Sequence, residues 1–238
     1  MPATEITHLI SRVTFPAYSK MQEDMRRLRE AYLKVLQLAA FLSFPTAGII
    51  FILAPDFTKV FLGEKWMPMV PAMQMLCIYG VIRSVAATMG SVLYAVGKPQ
   101  IQTKLSSIQL IIMVLIIYPL TIQWGMLGLS LAVTIAATYV IFHLIIEIKK
   151  LINVRYRDIF NSLITPTVAV FGMVIAVYLG KSIFSFGVNF ISLTIMAITC
   201  CTLYLGTLYF LTRKIEGNIY KELHAISKSL KTILEIKN

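Results

Sequence analysis

Six runs of apolar residues, separated by short polar connections, divide the chain. They cover residues 32–54, 71–96, 105–122, 126–146, 163–180 and 188–211. A helix needs ~20 apolar residues to cross a hydrocarbon core of ~30 Å, and each run has about that length. The pattern therefore predicts an all-α, polytopic membrane helix bundle with about six transmembrane helices.

Amphipathic segments flank the apolar runs. An apolar row at steps of three and four residues leads into the first span and predicts a helix with a basic charged face. Its members are Met21, Met25, Leu28, Tyr32 and Val35. A second row follows the last span, at Ile219, Leu223, Ile226, Leu230 and Ile233. Because lysines occupy the rest of that helix, we expect a basic amphipathic tail at the membrane interface, with coiled-coil pairing as the alternative.

Two local patterns predict how the spans bend and pack. Phe44-Pro45 lies near the middle of the first span, where a proline frees the carbonyl four residues earlier and that carbonyl needs a partner from a neighbouring helix. A fixed kink and a hinge both remain open as interpretations. Residues 123–125 separate the third and fourth spans so narrowly that we expect a tight helical hairpin. Small residues at four-residue steps then predict a packing seam at Gly128, Ala132 and Ala136.

The composition excludes an ordinary soluble domain. Of the 238 residues, 58% are hydrophobic and only 14% are charged, and the mean hydropathy is +0.78. A soluble domain of this length cannot bury so much apolar surface. The three cysteines, Cys77, Cys200 and Cys201, lie within apolar runs and indicate neither a disulfide framework nor a metal site.

The net charge of +11 reports membrane topology rather than nucleic-acid binding. If the six spans alternate, one side of the membrane receives only Lys59, Lys65 and Lys181. All other lysines and arginines except Arg83 fall on the opposite side. Because cytoplasmic connections carry the excess of basic residues, this distribution predicts a cell-membrane protein with both termini of the chain in the cytoplasm.

Arg83 lies at the centre of the second span, where a charge is costly unless it meets protein, water or a counter-ion. At helical spacing it shares one stripe with Tyr79, Gly90 and Tyr94, and the opposite, aliphatic face is expected to meet lipid. Two roles are open for the arginine. It either bonds to carbonyls of a kinked neighbour or binds an anion, since a guanidinium pairs with phosphate oxygens bidentately. The tyrosines either stack on sugars or fill space.

Other candidates for chemistry are weak. His143 lies one turn before Glu147, so the pair is either a proton relay or an interfacial histidine that caps a helix end. His8 and His224 are far away in sequence, and motifs for catalysis, phosphate binding or zinc binding are not found. We therefore expect no enzyme activity, no cofactor and no metal.

The connections carry motifs that resemble a known family. The phrases FPAYSKMQED, LAPDFTKVFLGEKWMPMVPAMQMLCIYG and YAVGKPQIQ are similar to the C-terminal half of polysaccharide flippases, from about residue 14 to 148. These flippases belong to the multidrug/oligosaccharidyl-lipid/polysaccharide exporter superfamily. The motifs that carry the resemblance are Phe15-Pro16-Ala17, Leu62-Gly63 with Trp66, and Gly97-Lys98-Pro99.

The resemblance implies transport of lipid-linked oligosaccharide across the cytoplasmic membrane in lipopolysaccharide or exopolysaccharide biosynthesis. It implies a two-lobed transporter working by alternating access, with Arg83 lining the cavity of the second lobe. In this division, residues 1–31 end a truncated helix and form a cytoplasmic linker, and residues 32–148 are four helices of the C-terminal lobe. Residues 149–212 add a loop and two extra helices, and residues 213–238 form the tail.

The family is about twice as long as this chain, so an N-terminal lobe is expected from a longer chain or a split-gene partner. The expected partners are membrane lipid, lipid-linked oligosaccharide and that lobe, with no nucleic acid. Two alternatives stay open: a scaffold subunit that does not transport, and a membrane-embedded sugar polymerase or ligase. The second requires acids or histidines on a large outer loop, and residues 55–70 contain only Asp56 and Glu64.

Overall fold

The computed structural model describes the backbone of residues 14–183 and 190–215, and the side chains of residues 14–179 and 194–207. These residues form a short helix, residues 14–20, followed by six long α-helices. They are α1 (Met25–Phe57), α2 (Val70–Ala95), α3 (residues 99–124), α4 (residues 126–152), α5 (Tyr156–Ile183) and α6 (Phe190–Ile215). A π-helical turn, Thr58–Leu62, and a 3₁₀ helix, Glu64–Met69, connect α1 to α2. The predicted all-α membrane bundle is confirmed.

Four helical stretches are long and apolar enough to cross a membrane. They are Met25–Leu62, Glu64–Ala95, Pro99–Ile152 and Tyr156–Leu179, and a shorter apolar helix covers Thr194–Thr207. The third stretch, with 54 residues, is too long for one crossing and contains the α3–α4 pair. The predicted tail helix of residues 216–238 lies outside the described residues, as do His8 and His224.

The α3–α4 pair is the tight hairpin that the sequence predicts. Gly125 leaves helical geometry with φ 54° and ψ −129°, so the chain reverses at that single residue. A Cβ added at Gly128 would overlap the carbonyl oxygen of Leu120 on the other arm. Gly128, Ala132 and Ala136 are all buried, which confirms that small residues allow close packing along α4.

Helix α1 is central to the bundle. It packs against α2 on one side and against α5 and α6 on another, and α2 in turn packs against the α3–α4 hairpin. Burial follows this order and produces two apolar clusters. The larger one joins α1, α2, α4 and the start of α5, and the smaller one joins α5 and α6. Apolar residues on the hairpin's outer surface remain exposed, as expected for a surface that meets lipid.

The helix that precedes α1 is held by a buried tyrosine. Residues 14–20 are helical, and Asp24 begins α1 by accepting a hydrogen bond from the backbone N–H of Arg27 at 3.0 Å. Tyr18 lies in the larger cluster with Leu28 and Tyr32, and this burial raises the pKa of Tyr18 well above its ordinary value. The row that includes Leu28 and Tyr32 is therefore a packing face, although its predicted member Met25 is exposed.

The motif Gly97-Lys98-Pro99 is explained by a helix end and a helix start. Gly97 has φ 72° and ends α2, with the N–H of Lys98 bonded to the carbonyl of Leu93 at 2.9 Å. Pro99 then begins α3, where its missing N–H costs nothing. A three-residue sequence thus reverses the chain between two spans.

Candidate functional site

The candidate site lies on α2. This helix is unbroken from Val70 to Ala95, so Tyr79, Arg83 and Tyr94 lie along one stripe as predicted. Burial varies along the stripe, and its small residues Gly80 and Gly90 are buried. Arg83 and Tyr79 are half-buried, and Tyr94 is 51% exposed.

The opposite side of α2 corrects the sequence-based prediction. It was expected to meet lipid, but Val85, Met89, Val92 and Leu93 are buried in the larger cluster. The reason is that α2 lies between α1 and the hairpin, so its aliphatic residues supply the core on both sides. Ile78 agrees with the expectation, since it is 42% exposed. Both sides of α2 are therefore partly covered, and Arg83 itself is half-buried.

Arg83 has no hydrogen bond and no ion pair with any residue whose side chain is described, that is, residues 14–179 and 194–207. It does not bond to carbonyls of a kinked neighbour within these residues, so one of its two predicted roles is not observed. A guanidinium has five N–H donors and keeps its charge at any physiological pH. In an apolar span its donors need an acceptor that the described residues do not supply.

Gly90 lies on the Arg83 stripe but is covered. A Cβ added there would stand 3.4 Å from the side-chain oxygen of Gln102 on α3, an ordinary van der Waals distance, so Gln102 is the side chain that lies over Gly90. No pattern in the sequence pointed to Gln102. Its Oε1 is buried without a hydrogen-bond partner among the described residues, while its Nε2 donates weakly to Ser106 at 3.4 Å. Gln102 therefore adds an unsatisfied acceptor beside the stripe.

His143 and Glu147 are not joined by a hydrogen bond. The Nδ1 atom of His143 lies 3.1 Å from the carbonyl oxygen of Tyr139, and the two rings stack at 4.3 Å. Glu147 instead pairs with Lys150, whose Nζ lies 3.1 Å from Oε1. The direct contact that a proton relay between the two needs is thus missing in this conformation.

Metal-ligating groups are not gathered anywhere in the described part of the chain. Among those residues, there is no cluster of three or more histidine, cysteine or acidic side chains. Cys77 and Cys200 are buried and Cys201 is exposed, and all three are free thiols.

Known proteins resemble the chain in sequence. Residues 1–71 match a family described as polysaccharide biosynthesis protein. An uncharacterized membrane protein in the cps region of Klebsiella pneumoniae is 34% identical over 73% of this chain and 36% of its own length. The chain is similar in sequence to membrane proteins of polysaccharide biosynthesis. The family resemblance predicted from the motifs is confirmed.

Further relatives agree with this homology. The lipopolysaccharide biosynthesis protein WzxC of Escherichia coli strain K12 is 28% identical over 70% of this chain and 34% of its own length. The teichuronic acid biosynthesis protein TuaB of Bacillus subtilis strain 168 is 34% identical over 41% of this chain and 20% of its own length. The chain thus spans about a third of the length of the first two curated relatives.

A solved transporter shares the fold. The match to the lipid II flippase MurJ, in an inward closed conformation, covers 87% of this chain and 43% of MurJ, with a TM-score of 0.65. The sequence identity is 16%, so this likeness speaks for the fold alone. The six helices therefore correspond to somewhat less than half of a flippase structure.

Proposed function

We propose that the chain forms the C-terminal part of a flippase that moves lipid-linked oligosaccharide across the cytoplasmic membrane. The activity serves polysaccharide biosynthesis, is not enzymatic, and proceeds by alternating access. The observation that carries the proposal is Arg83, a half-buried cation in the middle of α2 that has no hydrogen bond or ion pair among the described residues, in a helix bundle with the fold of a flippase. A charge in that position requires an aqueous cavity or an anion opposite it.

Arg83 meets the phosphate or acidic sugar groups of the substrate in this proposal. Substrates anchored to a lipid through phosphates present planar sets of oxygens, which a guanidinium recognises with two parallel hydrogen bonds. Tyr79 lies one helical turn from Arg83 and is half-buried. Tyr94 lies three turns away and exposes ring surface on which a sugar can stack. Gln102 on α3 lies against Gly90 of the same stripe.

The remainder of the transporter is an N-terminal lobe that lies across the cavity from Arg83. Support comes from the coverage of the relatives, because the matched segment is 36% of the Klebsiella protein and 43% of MurJ. The larger apolar cluster is centred on residues 32–148, which we assign to the C-terminal lobe, while α5 and α6 pack on the outside of α1 as the extra pair. Both ends of the chain are cytoplasmic in this arrangement, with the basic connections on the same side.

The test is surface polysaccharide in the producing strain after substitution of Arg83. Arg83→Ala removes the cation, and we expect at least a tenfold loss of exported glycan while the amount of protein in the membrane stays normal. Arg83→Lys keeps a point charge without the planar fork, so it retains part of the export. Arg26→Ala is the matched control, because the Arg26 side chain is 83% exposed and its ion pair with Glu30 lies on the surface.

A scaffold subunit gives a different pattern. In that case Arg83→Ala lowers the amount of folded protein and the glycan falls only in proportion to it. Export that stays normal in Arg83→Ala at normal protein level contradicts the site.

A further inference from the structure

Helix α1 carries two prolines in its interior, Pro45 and Pro55. Neither has an N–H, so the carbonyls four residues earlier, those of Phe41 and Phe51, lose their helical donors. In an apolar layer such carbonyls need another partner, because water does not reach them.

Both freed carbonyls receive a side chain from a different helix. The hydroxyl of Tyr204 on α6 donates to the carbonyl of Phe41 at 3.0 Å. The amide Nε2 of Gln74 on α2 donates to the carbonyl of Phe51 at 3.2 Å. Each proline is therefore matched by one donor that bridges α1 to a neighbour.

Pro45 also stands at the border between the two apolar clusters. Before it, Leu36, Ala40 and Phe44 belong to the larger cluster with α2 and α4. After it, Ile49 and Ile52 pack against the smaller cluster of α5 and α6. The two halves of α1 are thus anchored to different sets of helices.

The second half of α1 is held closely against α5. A Cβ added at Gly48 would stand 2.9 Å from Cγ1 of Val170 and 3.1 Å from Cε of Met173, so only glycine permits this approach without movement of its neighbours. A packed contact of this kind transmits motion between helices. We propose that Pro45 is a joint in α1, that the Tyr204 hydroxyl is the latch holding it in the observed conformation, and that the second half of α1 moves as one body with α5 and α6.

Releasing the latch has a defined consequence. Without the Tyr204 hydroxyl the Phe41 carbonyl is left without a donor in the closed joint, so conformations that open the joint toward another donor or water gain population. An N–H restored at position 45 donates to the Phe41 carbonyl within the helix, so the Tyr204 hydroxyl is no longer needed as its donor. The proposal therefore predicts an interaction between the two sites that a simple packing role for either residue does not produce.

The joint is tested by electron spin distance measurements on the full chain in lipid nanodiscs. Nitroxide labels are attached at positions 26 and 57, near the ends of α1, in a background whose native cysteines are replaced by alanine. Tyr204→Phe is expected to broaden the distance distribution and to add a second population. Pro45→Ala is expected to narrow it, and the double variant to remain as narrow as Pro45→Ala.

Tyr178→Phe is the matched control for the loss of a tyrosine hydroxyl. Tyr178 lies on α5 and is 74% exposed. Its substitution is expected to leave the distance distribution unchanged. Thermal unfolding gives a second readout, with Tyr204→Phe lowering the midpoint by about 2–4 °C. In the Pro45→Ala background the same substitution is expected to produce less than half of that shift.

Two results overturn the proposal. If Tyr204→Phe lowers the midpoint of thermal unfolding equally in the wild-type and Pro45→Ala backgrounds, the proposed latch is wrong, because the hydroxyl then acts independently of the freed carbonyl. If all variants give the same distribution of distances between the two labels, Pro45 is not a joint. Pro45→Ser also restores an N–H and takes the place of Pro45→Ala if that variant does not accumulate.

Discussion

Arg83 shows how far a single residue can be placed from sequence. Hydropathy found the charge in the span, and helical spacing placed it on the stripe of Tyr79 and Tyr94. Spacing also separated two faces of α2, but it did not say which face a neighbour covers. Val85 and Met89 are buried because α1 and the hairpin pack on their side, and such long-range contacts leave no mark in local periodicity.

Pro45 of α1 shows which part of a hydrogen bond can be predicted from sequence. The sequence predicted that the carbonyl freed by Pro45 needs a donor from a neighbouring helix, and the structure confirms it. The donor, Tyr204, lies 163 residues away from Phe41 in the chain. Chemistry fixed the need for a hydrogen bond, and only the tertiary fold identified the side chain that meets it.

Asn153 offers a test at the scale of one residue. It ends α4 in the left-handed region with φ 52° and ψ 40°, and its backbone carbonyl accepts a hydrogen bond from Arg29 at 3.1 Å. Asn153→Gly is expected to be neutral, and Asn153→Val to lower the free energy of unfolding by about 1–2 kcal/mol. Both variants keep the carbonyl that accepts the hydrogen bond from Arg29. Their difference in denaturant unfolding therefore measures the cost of the left-handed backbone conformation, and equal stabilities would contradict that cost.

At the scale of the element, the α3–α4 hairpin was the most predictable feature. Three residues between two apolar runs leave no room for another arrangement, and small residues at four-residue steps marked the packing face. The ends of α1 were less predictable. The helix begins at Met25 and ends at Phe57, beyond the predicted span of residues 32–54 at both ends, because its first turns are amphipathic rather than uniformly apolar.

Gly128 tests the hairpin. Gly128→Ala inserts a Cβ into the backbone of Leu120, so we expect a loss of about 1–3 kcal/mol in the free energy of unfolding in detergent. Gly206→Ala is the matched control, since nothing lies within 4 Å of a Cβ added to that helical glycine. There the substitution is expected to be neutral or to stabilise the helix by up to about 1 kcal/mol. A Gly128→Ala variant as stable as Gly206→Ala would contradict the close approach of the two arms.

At the scale of the whole molecule, the fold class and the family followed from the sequence, while the packing order did not. The central place of α1 and the contacts of α2 with both α1 and the hairpin explain why the aliphatic residues of α2 are buried. The division of residues 32–148 and 149–212 into lobe and extra helices stays a prediction. So does the placement of both termini in the cytoplasm.

Topology is tested by the reaction of introduced cysteines with a membrane-impermeant thiol reagent on intact cells. The positive-inside distribution predicts that Lys65→Cys, between α1 and α2, reacts from outside. Arg155→Cys, between α4 and α5, is expected to react only after the membrane is permeabilised. Both side chains are exposed, so differences in burial do not explain a difference in labelling. The reverse pattern would invert the whole arrangement.

The transport proposal is tested most directly by measuring lipid-linked oligosaccharide in the producing strain after the gene for this chain is deleted and then restored with either wild-type or Arg83→Ala. A flippase predicts that the lipid-linked repeat units accumulate in the cytoplasmic leaflet while surface polysaccharide falls, that the wild-type chain reverses both changes, and that Arg83→Ala does not. Unchanged lipid-linked oligosaccharide together with normal surface polysaccharide in the deletion strain would contradict it.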